Sequence, residues 1–187
     1  MSKMLCGIDE AGRGPIAGDL VVAGCIFYSD TKIDGLNDSK KISEKKRYKL
    51  FEEIFPNTIN HIVTISPEDI DTLGLSKCMQ DALVEIKSML NADEYLFDGN
   101  TTFGVDGLET MVKADEKVAE VSAASILAKV THDRNIIRDA ELYPEYGFEK
   151  HKGYGTAFHV DMIKQHGYCP IHRRSYKLKA LANILFD

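Results

Sequence analysis

The sequence predicts an α/β domain built around a mixed β-sheet. Three observations carry that reading. Short apolar runs of strand length come early in the chain. Segments with helical spacing, several with a capping residue, separate and follow them. The 187 residues, 44% hydrophobic and 28% charged, fit a single domain spanning 1–187. Its last part, from about residue 145, is expected to be helical and basic. From Glu145 onward seven Lys/Arg face four Asp/Glu, a net +3, which leaves −9 of the total −6 on the rest. Such a chain could track phosphates with one region and hold a cation with another, or simply carry a solvated face.

The elements follow in order. Residues 4–9 (MLCGID) and 20–28 (LVVAGCIFY) read as buried strands. Ser43 to Phe55 reads as a helix with Ser43 as N-cap, and 58–65 alternates as a strand. Ser66-Pro67 fits an N-cap followed by proline at the first helical position. From Leu75 to Leu90, apolar residues at 75, 79, 82, 83, 86 and 90 mark one helical face. EYLF (94–97) is a short strand ending at Asp98-Gly99, and 109–113 is another, ending just before Asp115. A long helix covers 120–140, a shorter one runs from Thr156 to Gln165 with Gly167 past its end, and 176–186 closes the chain. No stretch approaches the roughly 20 apolar residues of a membrane span. The N-terminus lacks a signal peptide's apolar region, so a cytoplasmic protein is expected. Cys6, Cys25, Cys78 and Cys169 show neither a CxxC pair nor zinc spacing and should be reduced and mostly buried.

The passage GIDEAGRG (Gly7 to Gly14) is the strongest local motif. Strand parity puts Asp9 on the face of Leu5 and Gly7, with Glu10 on the other. An acid ending an apolar strand either caps the turn or binds a cation. Gly12-Arg13-Gly14 can bring backbone groups close to a ligand. It is not the dinucleotide fingerprint, because Gly18 comes one place late and a strand follows. Asp98 and Asp115 also end predicted strands. Carboxylates converging from strand ends repel one another, and a divalent cation relieves this; oxygen ligands suit Mg²⁺ or Mn²⁺. Asp98 beside Gly99 reads equally well as a turn residue, and DGNTTF fails the EF-hand pattern. Basic clusters lie at Ser39-Lys40-Lys41 with Lys45 to Arg47, at Lys150 to Thr156, and at His172-Arg173-Arg174. Each alone reads as solvated surface. The glycines beside Lys152 and Tyr154 make the second more specific, since they let backbone approach with an aromatic ring alongside. The six histidines show no paired metal spacing. Ser122 and Ser125, in an Ala-rich helix, read as packing residues, and Asp133 as a helix-surface or capping residue with a ligand role in reserve.

Taken in order, these segments resemble the ribonuclease HII family. The matching stretches are GIDEAGRGPIAG (7–18), NDSKKIS (37–43), Asp98-Gly99, Lys113-Ala114-Asp115, VSAASILAKVTHDR (121–134), YGFEKHKGYGT (146–156) and PIHRRSY (170–176). The resemblance implies a ribonuclease H-like fold and a four-carboxylate metal site of Asp9, Glu10, Asp98 and Asp115. It implies Mn²⁺ or Mg²⁺ as cofactor and two-metal hydrolysis of the RNA strand in RNA–DNA hybrids or at ribonucleotides embedded in duplex DNA. Gly12, Arg13, Gly14 and Tyr154 would read the RNA-to-DNA junction, and Ser39, Lys40, Lys41, Lys152 and Arg173 would contact phosphates. A monomer is expected. A related DNA nuclease or resolvase would need no 2′-hydroxyl sensor, and a hybrid-binding module would need no carboxylates. The chain departs from the family pattern at Asp19, where proline is usual, and is expected to carry extra negative charge there. It also ends soon after PIHRRSY, which bears on substrate affinity more than on chemistry.

Overall fold

The computed structural model describes residues 3–36, 42–178 and 181. Five strands form one mixed sheet in the order β3-β2-β1-β4-β5. The central strand β1 (Leu5–Ala11) pairs antiparallel with β2 (Leu20–Ile26), which pairs antiparallel with β3 (Ile59–Ile65). On its other side β1 runs parallel to β4 (Glu94–Asp98), and β4 parallel to β5 (Glu109–Met111).

Helices cover both faces, so the central strands are apolar throughout rather than alternating. On one face Cys6, Ile8, Leu20 and Val22 pack with Met79, Ala82, Leu83 and Ile86 of α3 (Leu75–Met89), which follows α2 (Pro67–Leu73). On the other, Val21, Ala23 and Cys25 meet α1 (Glu44–Asn57) and α4 (Ala119–Leu142) through Leu50, Phe51, Ile54, Ala123 and Leu127. The single-turn helix α5 (Phe148–His151) and α6 (Ala157–His166) form a third cluster with the end of α4. Ser43, Ser66 and Thr156 cap α1, α2 and α6 by accepting from Lys46, Asp69 and His159 amides at 3.3, 3.1 and 3.2 Å. All four cysteines are free and buried. Among the described residues no helix is long and apolar enough to cross a membrane.

Two boundaries that bear on the site differ from the sequence reading. β1 continues to Ala11, so Asp9 and Glu10 lie inside the strand, opposite Ala23 and Val22, and not at its end. β5 stops at Met111 because Lys113 adopts a left-handed conformation (φ 60°), and Asp115 sits on the 3₁₀ turn Ala114–Glu116 that follows. Helix α5 had no legible signature. Most of the expected helix over 176–186 falls outside the described residues, and the described stretch 176–178 is not helical. Ser39, Lys40 and Lys41 also lie outside them.

One close approach sets how α4 lies on the sheet. A Cβ on Gly7 would come within 2.3 Å of the Val121 nitrogen and 2.4 Å of the Glu120 carbonyl carbon. Both are backbone atoms of α4, which cannot swing aside as a side chain would. Gly7→Ala should therefore destabilise the fold by about 3 kcal/mol, read as a lower urea midpoint at unchanged slope. An unaltered midpoint would mean that α4 does not rest on β1 there.

Candidate active site

The β1–β4 pairing aligns Ile8 with Phe97, which sets Asp9 and Asp98 side by side at the next position along each strand. Asp98 Oδ1 accepts from the Ala114 amide at 3.1 Å, which ties the following 3₁₀ turn to the end of β4 and brings in Asp115. Carboxylate oxygens of Asp9, Asp98 and Asp115 all lie within 4.8 Å of one another. Asp9 is 7% exposed and Asp115 1%, while Asp98 is half-buried.

The three charges cannot share this space freely. At an effective dielectric of 20, two carboxylates 4.8 Å apart repel by roughly 3.5 kcal/mol. Burial, and then the neighbouring Glu10 charge, push the Asp9 carboxyl well above the ordinary range. The Ser125 hydroxyl and the Glu10 amide, the latter donating to Asp9 Oδ1 at 2.8 Å, oppose that shift. Burial also raises Glu10, against the pull of Arg13, whose Nη1 donates to Glu10 Oε1 at 2.9 Å. The other oxygen, Glu10 Oε2, is buried without a hydrogen-bond partner. A divalent cation fits this donor set: hard oxygens converge, the repulsion is relieved, and an orphaned carboxylate oxygen stands beside them.

A cleft of about 480 Å³ adjoins the acids, lined by Glu10, the Gly12-Arg13-Gly14 turn, Ser125, Tyr154, Arg47 and Lys129. Gly12 has φ +95°, and a Cβ there would lie 2.5 Å from the Asp19 carbonyl oxygen and 2.7 Å from the His132 ring. The turn thus brings bare backbone to the cleft wall. Tyr154 is 48% exposed, and a Cβ on Gly14 would lie 3.4 Å from its ring. Lys152 takes a left-handed conformation and donates through Nζ to the Glu149 carbonyl at 2.5 Å.

Several expectations need correction. Arg173 is no surface phosphate ligand: it is 1% exposed, and its guanidinium donates to the carbonyls of Gly18 (2.9 and 2.8 Å) and Pro15 (3.0 Å). Ser125 is more than packing, since it hydrogen-bonds Asp9 and lines the cleft; Ser122 instead donates to the Leu36 carbonyl. Asp133 is neither a surface nor a capping residue. It is buried between Lys129 Nζ (2.8 Å) and His132 Nδ1 (3.0 Å), which hold its carboxyl below the ordinary range despite burial. Asp19 accepts from Asn135 Nδ2 at 2.9 Å, and burial raises its pKa against the pull of that bond. Lys129 was missed by sequence reasoning. Its only signal is a spacing of four residues from Ser125 on the same helical face.

A mixed sheet whose central strand β1, neighbouring strand β4 and following 3₁₀ turn gather three aspartates defines a ribonuclease H-like, metal-dependent nuclease. The sequence profile of ribonuclease HII matches residues 6–179. A ribonuclease HII of Sulfurovum sp. (strain NBC37-1) is 58% identical over 180 residues, covering 96% of this chain and 95% of that one. One of Aliarcobacter butzleri (strain RM4018) is 54% identical, covering 96% and 93%. The structure of a PCNA:RNase HII complex from Archaeoglobus fulgidus superposes with a TM-score of 0.79 at 29% identity, covering 94% of this chain and 96% of that chain. The chain belongs to the ribonuclease HII family.

Metal-free stability tests the crowding of the acids. The folded pKa of Asp9 lies above the unfolded value of about 4, so its ionised form disfavours folding. That penalty is absent below the unfolded pKa and grows as pH rises through the folded one. Asp9→Asn should therefore raise the melting temperature of the metal-free protein by several degrees at pH 7 and by little at pH 4. Millimolar Mg²⁺ should stabilise the wild type and narrow the gap. Equal melting temperatures at both pH values would refute the desolvated-carboxylate account.

Proposed function

We propose that this chain is an endonuclease that hydrolyses the RNA strand of RNA–DNA hybrids. It also cuts 5′ of ribonucleotides embedded in duplex DNA, leaving 3′-hydroxyl and 5′-phosphate ends. The observation that carries the proposal is the cluster of Asp9, Asp98 and Asp115 next to a cleft lined by Glu10, the Gly12-Arg13-Gly14 turn and Tyr154. Asp9, on the central strand of the sheet, would hold the metal together with Asp98, Asp115 and Glu10. Mn²⁺ or Mg²⁺ bound there would supply activation of water and stabilisation of the leaving 3′-oxygen. Arg13 holds Glu10 in place through its guanidinium and leaves the backbone of its own turn to the substrate.

Recognition rests on the 2′-hydroxyl, the group that separates RNA from DNA. The backbone of Gly12-Arg13-Gly14 meets it, and the exposed Tyr154 ring stacks on the sugar beyond the scissile phosphate. Lys152, with Ser39, Lys40 and Lys41, contacts phosphates, and Arg47 and Lys129 line the same cleft. Such contacts position the duplex without reading sequence. A DNA nuclease would have no use for the glycine turn and the tyrosine together. The buried free thiols support a cytoplasmic setting, and the enzyme acts as a monomer.

Asp98→Asn should abolish cleavage, a loss of at least about a thousandfold, while hybrid binding largely survives, because phosphate contacts lie elsewhere. Gel-shift and end-labelled cleavage assays check both arms. Near-normal turnover at saturating metal would refute the ligand assignment, and 2′,3′-cyclic phosphate ends would refute the choice of nucleophile. Tyr154→Ala should slow cleavage at a single embedded ribonucleotide by up to about tenfold, since stacking contacts are worth roughly 1–3 kcal/mol and a sugar contact sits at the low end. Long hybrids should lose less. Equal losses on both substrates with a lowered melting temperature would make Tyr154 a packing residue.

A further inference from the structure

Behind the loop that carries Tyr154 lies a cluster of buried imidazoles that the proposed chemistry does not use. His159 and His172 are 0% and 2% exposed, and their Nε2 atoms face each other at 3.0 Å. Their outer nitrogens fix the direction of every proton between them. The Cys169 backbone amide can only donate, and it points at His172 Nδ1 at 2.9 Å, so Nδ1 accepts. The Cys169 carbonyl is farther from that nitrogen, at 3.3 Å, and already accepts the His172 amide at 3.0 Å. The His172 proton therefore sits on Nε2 and is donated to His159 Nε2. The His159 proton is left on Nδ1, 2.9 Å from the Tyr154 carbonyl, which can only accept. Each bond requires the one before it.

We propose that His172 and His159 form a directional hydrogen-bond relay that positions Tyr154 for junction reading. The proposal rests on the role given to Tyr154 above. The Tyr154 ring is half-exposed, and glycines flank the residue, so its placement depends on how its backbone is held. His159 and the Thr156 amide, the latter at 2.8 Å, both donate to the Tyr154 carbonyl, the Tyr154 amide donates to the His151 carbonyl at 3.0 Å, and the Gly153 carbonyl accepts the Ile16 amide at 2.9 Å. The last of these bonds registers the tyrosine loop against the chain just after the glycine turn. The relay needs both imidazoles neutral with one proton each. Burial, first among the causes, depresses both to about 4, so they meet that condition throughout the neutral range. The stack of His151 on His159, 4.3 Å between ring centres, and the edge contact of Phe148 with His159 at 5.3 Å hold the ring in place. His159 and His172 are thus positioning residues, acting only through Tyr154.

A double-mutant cycle tests this with the full chain and Mg²⁺. His159→Phe keeps the ring packing and removes the donor, whereas His159→Asn can return a donor near the Nδ1 position. His159→Phe should lower kcat on a single embedded ribonucleotide by about threefold to tenfold, the worth of one hydrogen bond, with KM within about twofold. His159→Asn should restore most of that loss. In a Tyr154→Ala background His159→Phe should add less than about twofold. If His159→Phe fails to fold, His172→Asn cuts the relay one link earlier, preserves an acceptor for Cys169, and should show the same non-additivity. Full activity of His159→Phe while Tyr154→Ala is impaired would overturn the relay alone. Additive losses in the cycle would overturn it too, making the imidazoles mere packing. A Tyr154→Ala variant without selective loss would overturn the tyrosine reading and the relay together.

Discussion

The site depends first on how closely α4 can approach β1. A helix normally stands off a sheet by the depth of its side chains, and here the absence of a side chain at Gly7 removes that spacer. The same face of α4 then continues along the strand and past its end. Val121 lies at Gly7, Ser125 hydrogen-bonds Asp9, and His132 abuts Gly12. Steps of four and seven residues keep these three on one helical face. One steric allowance thus seats the hydroxyl beside the central acid and limits the space around the glycine turn. A shift of α4 by one side-chain depth would undo both at once.

That packing makes the electrostatic problem sharper and also contains it. Bringing α4 down buries Asp9 and raises the cost of its charge. The repulsion within the triad is comparable to a sizeable part of a domain's total stability. Two basic groups near the site are committed to other acids: Arg13 is directed to Glu10, and Lys129 to Asp133. Arg13, Arg47 and Lys129 line the cleft beside the acids.

Much of this architecture was legible in the chain because local chemistry decided it. Ser43, Ser66-Pro67 and Gly167 mark helix ends through backbone hydrogen bonding that neighbouring residues satisfy, and the apolar face of α3 follows from spacing alone. The acids were legible as candidates, since an acid on an apolar strand is costly. Their convergence was not, because it depends on the parallel pairing of β1 with β4 and on the turn at Lys113. Ser125 was misread for a related reason: nothing in an Ala-rich helix tells which face meets a carboxylate. The relay of His159 and His172 joins residues thirteen apart through ring geometry, for which the sequence carries no spacing rule.

Arg173 shows why a basic motif need not be a binding patch. Burying a guanidinium is tolerable only if its donors find partners. Here they find the Pro15 and Gly18 carbonyls and the Tyr176 hydroxyl, with the Tyr176 ring 5.2 Å from the guanidinium carbon. The contacts extend along the whole segment. The Tyr176 hydroxyl donates to the Arg13 carbonyl at 2.9 Å, the Arg173 amide to the Ile16 carbonyl at 2.8 Å, and the Gly18 amide to the Ile171 carbonyl at 2.8 Å. The carbonyls of residues 13, 15, 16 and 18 are therefore all drawn toward residues 173–176. A turn whose carbonyls are held on one side has its backbone orientation fixed, and the part at Gly12 to Gly14 that lines the cleft is fixed with it. The positive charge of Arg173 thus acts at a distance from any substrate, by orienting the peptide groups that face it.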